Sequence, residues 1–195
     1  MKCLIIISHP RSDSLNVSLA DAAATALRAA GHDLTIRNLY EQGFEPALAA
    51  SEQLGIRDGI APASTSLEAA ELQAAELLVL VFPTWWFGMP AILKGWFDRV
   101  WAPGVAYDLA KDSGALRARL HGLKRAIAIT TLGSPWWVDR LVLRQPVRWT
   151  LKRAILGVCA PRAKLDFLSF YKCDSLTPTQ YEAMKQRVTA AMRRI

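Results

Sequence analysis

The chain is poor in the groups that most often announce metal or thiol chemistry. It has three histidines and three cysteines among 195 residues. Cys3, Cys159 and Cys173 lie far apart and form no CxxC pair, which argues against a disulfide scaffold and suits a reducing compartment. His9, His32 and His121 share no metal-ligand spacing, so no metal site is expected, and His32, just past Gly31, reads as structural. No apolar run approaches the ~18 residues of a membrane span, and the opening MKCLIIISHP lacks the layout of a secretory signal. A soluble cytoplasmic protein is the expectation. GxGxxG and GxxxxGK[ST] are both missing, which argues against the standard dinucleotide and P-loop sites. There is no internal repeat, low-complexity run or interdomain linker. At ~100–200 residues per domain, residues 1–195 read as a single domain.

What the chain does have is apolar bulk and an uneven charge. Apolar residues make up 52%, above the usual ~45–50%, so a sizeable core is expected. Residues 1–116 carry 8 Lys/Arg against 13 Asp/Glu, a net −5, whereas residues 117–195 carry 16 against 4, a net +12. Such asymmetry can mark an anionic partner.

Short apolar runs alternate with helical patterns. Strands are expected at Cys3–Ser8, Asp33–Asn38, Leu77–Phe82, Arg125–Thr131 and Ala163–Phe170. Helices are expected at Asn16–Ala30 (with Asn16 as N-cap and Gly31 past its end), Ser66–Ala75, Pro90–Trp101, Arg140–Leu156 and Pro178–Arg194. Residues 39–65 read as a long mixed excursion. This alternation implies an α/β fold, a five-stranded parallel sheet with helices on both faces, because right-handed crossovers force a doubly wound sandwich.

Ligands of open α/β sheets sit at the carboxyl ends of the strands, which singles out three loops. SHPRSDSLN (residues 8–16) ends at a helix start, where free N–H groups and the helix dipole attract an anion, with Ser12, Ser14 and Asn16 as added donors. A solvated loop with a helix cap is the plainer alternative. PTWWFGMP (residues 83–90) places Trp85, Trp86 and Phe87 in a row at the sheet edge, to cover a flat ligand, a lid or a neighbouring subunit. TLGSPWW (residues 131–137) combines hydroxyls, Gly133 and paired tryptophans, and its N–H groups are placed to hold an oxygen that gains negative charge.

FPTWWFGMPAILKGWFDRVWAPGVAY, residues 82–107, closely resembles the signature segment of the NAD(P)H:quinone oxidoreductases, the DT-diaphorase-like flavoproteins of flavodoxin-like fold. SHPRSDSLN resembles their first phosphate loop. TTLGS (residues 130–134) is similar to their TTGGS loop, with Leu132 in place of one glycine. The likeness covers most of residues 1–135 and thins beyond. It implies a flavodoxin-like three-layer sandwich, a bound flavin (FAD more often than FMN), NADPH or NADH as electron donor, a quinone-like acceptor and a homodimer with the active site at the subunit interface. By position, His9, Ser14, Leu15 and Asn16 would hold the flavin phosphates. Pro83, Thr84, Trp85, Trp86 and Phe87 would line the ring system, and Thr130, Thr131, Gly133 and Ser134 would bind its polar edge. Tyr107 would help shape the substrate pocket, and Trp136 and Trp137 would narrow it. The mammalian enzymes of the family carry a Tyr and then a His after TTGGS that support charge on the reduced flavin; PWWVDRLVLRQP has neither, so no catalytic side chain is named.

The resemblance implies two-electron reduction of quinones or related electrophiles by NAD(P)H. One slot shared by donor and acceptor predicts ping-pong kinetics. The alternative is a flavin-binding regulatory subunit of a potassium-efflux transporter, with the basic half as docking surface; a one-electron carrier fits the aromatic segment poorly. Arg140, Arg144, Arg148 and Lys152 fall at spacing four and would form one basic helical stripe, either a solvated face or a peripheral contact with an anionic membrane surface. No nucleic-acid reader motif accompanies the charge. Asp98 and Arg99 are expected at helix-surface or dimer contacts.

Overall fold

Residues 1–109 and 115–195 are described by the computed structural model. The first apolar run forms β1 (Lys2–Ile7), and a helix, α1 (Leu15–Ala29), returns along the sheet to β2 (Asp33–Asn38). The excursion contains α2 (Ala50–Arg57) and a 3-10 turn (Ala63–Thr65), and leads into α3 (Ser66–Ala74). Next come β3 (Leu77–Pro83), α4 (Ala91–Val100) and a small hairpin of β4 (Tyr107–Leu109) and β5 (Leu116–Ala118). The chain then runs through β6 (Arg125–Thr131), a π-helical turn (Val138–Val142) and α5 (Pro146–Trp149). α5 continues through a second π-helical stretch (Thr150–Leu156) into α6 (Gly157–Cys159), and β7 (Lys164–Phe170) and α7 (Pro178–Met192) end the fold.

The main sheet has the order β2-β1-β3-β6-β7, and its neighbouring strands are all parallel. Strand side chains alternate between faces, so each strand serves two cores. Cys3, Ile5 and Ile7 of β1, Val79 and Val81 of β3, and Ile127 and Ile129 of β6 pack against α1 and α7. Leu4, Ile6, Leu78, Leu80, Phe82, Ala126 and Ala128 face the other way, against α3, α4 and the helical stretch after β6. Every residue of β3 is buried, as a central parallel strand must be when helices cover both faces. The expected doubly wound sandwich is observed, with its strand order reversing between β1 and β3.

Four local expectations need correction. The N-cap of α1 is Ser14, whose Oγ accepts the Val17 N–H (3.3 Å); Asn16 lies inside the first turn and is buried. Arg140–Leu156 is not one helix. Arg144 and Gln145 adopt left-handed φ values of 56° and 52°, and Pro146, which has no N–H to donate, starts a new helix. Arg140 and Arg148 still border one cleft, with Gln145 and Asp166, but the four cations do not follow a single helix face. Arg140 instead leans on Tyr171, donating from Nε to its hydroxyl (3.3 Å). Arg99 is no surface group. It is 7% exposed, and it binds the Glu52 carboxylate (Nε–Oε2 3.0 Å), the Ser64 hydroxyl and the Glu45 carbonyl, which pins the excursion to α4. Lastly, α2 and the β4–β5 hairpin were not anticipated. α2 buries none of its own residues, so it carries no amphipathic pattern strong enough to read.

Candidate active site

The order reversal leaves a crevice above the carboxyl ends of β1 and β3. A cleft of about 370 Å³ occupies it, lined by His9, Leu15, Asn16, Pro83, Thr84, Trp85, Thr131, Leu132, Gly133, Cys173 and Asp174. Loops after β1, β3, β6 and β7 thus meet at one place.

The first wall is the start of α1. Ser14 satisfies the Val17 N–H, while the Leu15 and Asn16 N–H groups make no hydrogen bond within the described residues. The Asn16 side chain is 2% exposed; its Oδ1 accepts the Thr131 hydroxyl (3.0 Å), and its buried Nδ2 has no partner. A buried amide donor without an acceptor costs about 1–3 kcal/mol, so the position asks for an oxygen from outside the protein. His9 borders the same wall. Burial lowers its pKa below the ordinary 6.5, an effect the Arg11 cation adds to, so the imidazole is neutral at pH 7. Arg11 itself pairs with Asp13 on the surface (2.9 Å).

The second wall is the aromatic loop. Thr84 extends β3 by donating its N–H to the Thr131 carbonyl (2.8 Å), and its hydroxyl meets that of Thr130 (2.5 Å). Trp85 and Gly88 then close a tight turn with Trp86 and Phe87 at its corners, at φ 51° and 54°. Left-handed φ at two bulky aromatics is rare and costs of order 1–3 kcal/mol each. Trp85 is 44% exposed and tilted against His9 (ring centroids 6.2 Å apart), whereas Trp86 is fully exposed.

The third wall is the loop after β6. The Gly133 and Ser134 N–H groups make no hydrogen bond within the described residues, and the Ser134 hydroxyl is buried without a partner. Leu132 is held by the Phe170 carbonyl (2.8 Å), which ties this loop to the one after β7.

Most positions singled out from sequence meet here: His9, Leu15, Asn16, Pro83, Thr84, Trp85, Thr131 and Gly133 all line the cleft. Ser14 caps the helix beneath it, Thr130 lies under Thr84, and Ser134 sits behind Gly133. Trp86 and Phe87 shape the turn but are not among the lining residues, and neither are Tyr107, Trp136 and Trp137. Tyr107 is half-buried in β4, and the two tryptophans are about half exposed beside the π-helical turn. These last three lie outside the cleft of the single chain. Leu132, Cys173 and Asp174 were missed. The sequence signal for the last two was the loop after the fifth strand, YKCDSLTP, because a strand that ends beside β6 brings its own loop to the same rim.

Comparison with known proteins agrees with this geometry. Over 152 residues the chain is 32% identical to NAD(P)H dehydrogenase [quinone] 1 of Rattus norvegicus, a match covering 68% of this chain and 54% of that protein. The chain thus spans about half the length of this curated relative. It is 31% identical to ribosyldihydronicotinamide dehydrogenase [quinone] of Pongo abelii over 191 residues, covering 87% of this chain and 81% of that one. Among solved structures, Smu.1420 from Streptococcus mutans UA159 superposes over 100% of both chains with a TM-score of 0.87 and 29% identity. Residues 1–189 match the family model described as flavodoxin-like fold, and the chain belongs to that family, in the company of the NAD(P)H quinone dehydrogenases.

Proposed function

We propose that the protein is a flavin-dependent NAD(P)H oxidoreductase that reduces quinones or related electrophiles by two electrons, in ping-pong order, as one domain over residues 1–195. The observation that carries this reading is the set of unpartnered donors at the crevice: Asn16 Nδ2, the first N–H groups of α1, and the N–H groups of Gly133 and Ser134. Such donors suit an anionic, polar-edged, flat ligand, and a flavin has each of these features. When bound, the flavin supplies the hydride chemistry between NAD(P)H and the acceptor. The protein's part is placement. Asn16 and the α1 start hold phosphate, and the helix dipole adds to that attraction. Trp85 and Pro83 bear on the ring, and the Gly133–Ser134 backbone donates to its polar edge, where fixed dipoles favour developing negative charge.

A second copy of the chain completes the site in this reading. Trp136, Trp137, Leu141, Val142, Leu143 and Trp149 are all at least 40% exposed, and exposed apolar side chains of this kind suit a subunit contact. A homodimer covering it would bring Tyr107 and the Trp136–Trp137 pair toward a neighbouring cleft. Three free cysteines fit a cytoplasmic setting. The anionic-membrane contact loses its main support with the broken stripe. No helix among the described residues is long and apolar enough to cross a membrane. The transporter-subunit alternative gains no support from the relatives.

The test is the absorption spectrum of the purified protein, the mass of the flavin it releases, and oxidation of NADPH and NADH with a simple benzoquinone. A yellow protein that turns over is expected. A protein that binds neither FAD nor FMN would sink the proposal.

A further inference from the structure

One carboxylate stands among the donors of the crevice. Asp174, in the loop after β7, lies across Gly133 on the third wall. A Cβ at position 133 would meet its Oδ2 at 2.1 Å and its Oδ1 at 3.3 Å, so a glycine there is what lets the carboxylate rest against the backbone. Asp174 is exposed, and among the described residues it has no salt-bridge or hydrogen-bond partner. The adjoining Gly133 and Ser134 N–H groups are equally unused. Of the other lining residues only His9 and Cys173 can ionise. His9 is neutral, as described above, and burial pushes the Cys173 thiol up, which keeps it protonated. Among the lining residues Asp174 therefore carries the one charge at neutral pH, and no cation of the cleft offsets it.

Resting on the flavin reading, we propose that Asp174 sets the reducing strength of the bound ring: it stands at the ring's polar edge, accepts that edge's N–H and opposes negative charge there, which lowers the reduction potential. The polar edge of a flavin carries an N–H between two carbonyl groups. The backbone N–H groups of Gly133 and Ser134 suit the carbonyls, and a carboxylate, which accepts and never donates, suits the N–H. That hydrogen bond is available in both oxidation states, so it serves placement. The charge acts on one state only. Two-electron reduction puts negative charge on this edge, which the backbone dipoles favour and the carboxylate opposes. The carboxylate thus tilts the site toward giving electrons up, and acceptors harder to reduce than a simple benzoquinone come within reach of the enzyme. An exposed charge is partly screened, so its opposition is modest and depends on salt.

The experiment is the midpoint potential of the flavin-loaded protein, measured against a reference dye, for native protein, Asp174→Asn and Asp174→Ala. Both variants are expected to favour the reduced flavin about tenfold more than native protein does, which for a two-electron couple is a rise of about 30 mV. The rise should shrink in roughly 1 M salt, where the Debye length falls to about 3 Å, an effect that a merely structural role would not produce. Asp98→Asn removes the same charge from an exposed ion pair on α4 (Lys94 Nζ–Oδ1 2.6 Å) and should leave the potential unchanged. A change below about twofold (about 9 mV) in both Asp174 variants, a fall in potential, an equal rise in Asp98→Asn, or a rise that persists undiminished in high salt would overturn the role of Asp174. Failure of the native protein to bind either flavin would overturn the underlying function instead.

Discussion

Trp85 and Gly88 hydrogen-bond to each other in both directions, the Trp85 N–H to the Gly88 carbonyl at 3.2 Å and the Gly88 N–H to the Trp85 carbonyl at 2.8 Å. Between them Trp86 and Phe87 take the two left-handed positions that such a turn normally gives to Asn and Gly. Relieving them should stabilise the fold. Trp86→Asn with Phe87→Gly is expected to raise stability by about 1–2 kcal/mol, seen as a higher Tm. The same change should lower quinone turnover, since the aromatic loop borders the cleft. A Tm that falls would mean the aromatics are held by packing worth more than the strain.

The Glu52–Arg99 pair makes the excursion sensitive to acid. Hydrogen bonding to Arg99, helped by Ser64, holds the Glu52 carboxyl at about 2 against an ordinary 4.5. A depressed acid stabilises the fold fully above its unfolded value and loses that contribution as pH falls toward its folded value. Urea unfolding of wild type and Glu52→Gln should therefore differ most above pH 4.5 and converge as pH approaches 2. Glu52→Ala, which leaves the buried guanidinium without its anion, should cost about 3 kcal/mol at pH 7.

Gly95 sits inside α4, where alanine ordinarily gains about 1 kcal/mol. Here a Cβ would meet the Pro46 carbonyl oxygen at 2.3 Å, and backbone does not swing aside. Gly95→Ala should therefore destabilise, by about 1–2 kcal/mol net, with the excursion loosened first. Limited proteolysis within residues 44–65 would report it. A stabilised Gly95→Ala protein would show that this segment packs less closely than described.

Asn16 separates binding from folding. Its Nδ2 makes no contact that holds the protein together, whereas its Oδ1 accepts the Thr131 hydroxyl, so Asn16→Ala should cost about 1–2 kcal/mol of stability through that lost acceptor. Flavin affinity should fall about tenfold, the equivalent of one hydrogen bond of about 1.4 kcal/mol. Thermal unfolding without flavin and titration with it would give the two numbers. Unchanged flavin affinity in Asn16→Ala would assign Asn16 to the fold alone.

The parts that could be read in advance share one cause. β1, β3 and β6 are short apolar runs that must be buried, and the helices between them have few ways back to a parallel sheet. The parallel sheet and the crevice at its carboxyl edge follow from those two constraints, and so do the loops that carry His9, Asn16, Trp85 and Gly133, whereas the strand order was set only on folding. Residues 140–156 carry a helical charge spacing, but Pro146 is the stronger local signal and starts a new helix there. Arg99 was expected at the surface because charged helix residues mostly face solvent, and nothing near it in the chain announces Glu52, 47 positions away.

Periodicity and loop chemistry along the chain were enough for the sandwich and for three sides of the cleft. Its fourth side was decided only on folding. Asp174 reaches Gly133 because β7 happens to lie beside β6, and Arg99 is buried because Glu52 and Glu45 arrive to meet it. Local pattern reports which face of an element seeks the core, whereas a charge or a polar donor takes its meaning from partners that only three-dimensional packing supplies.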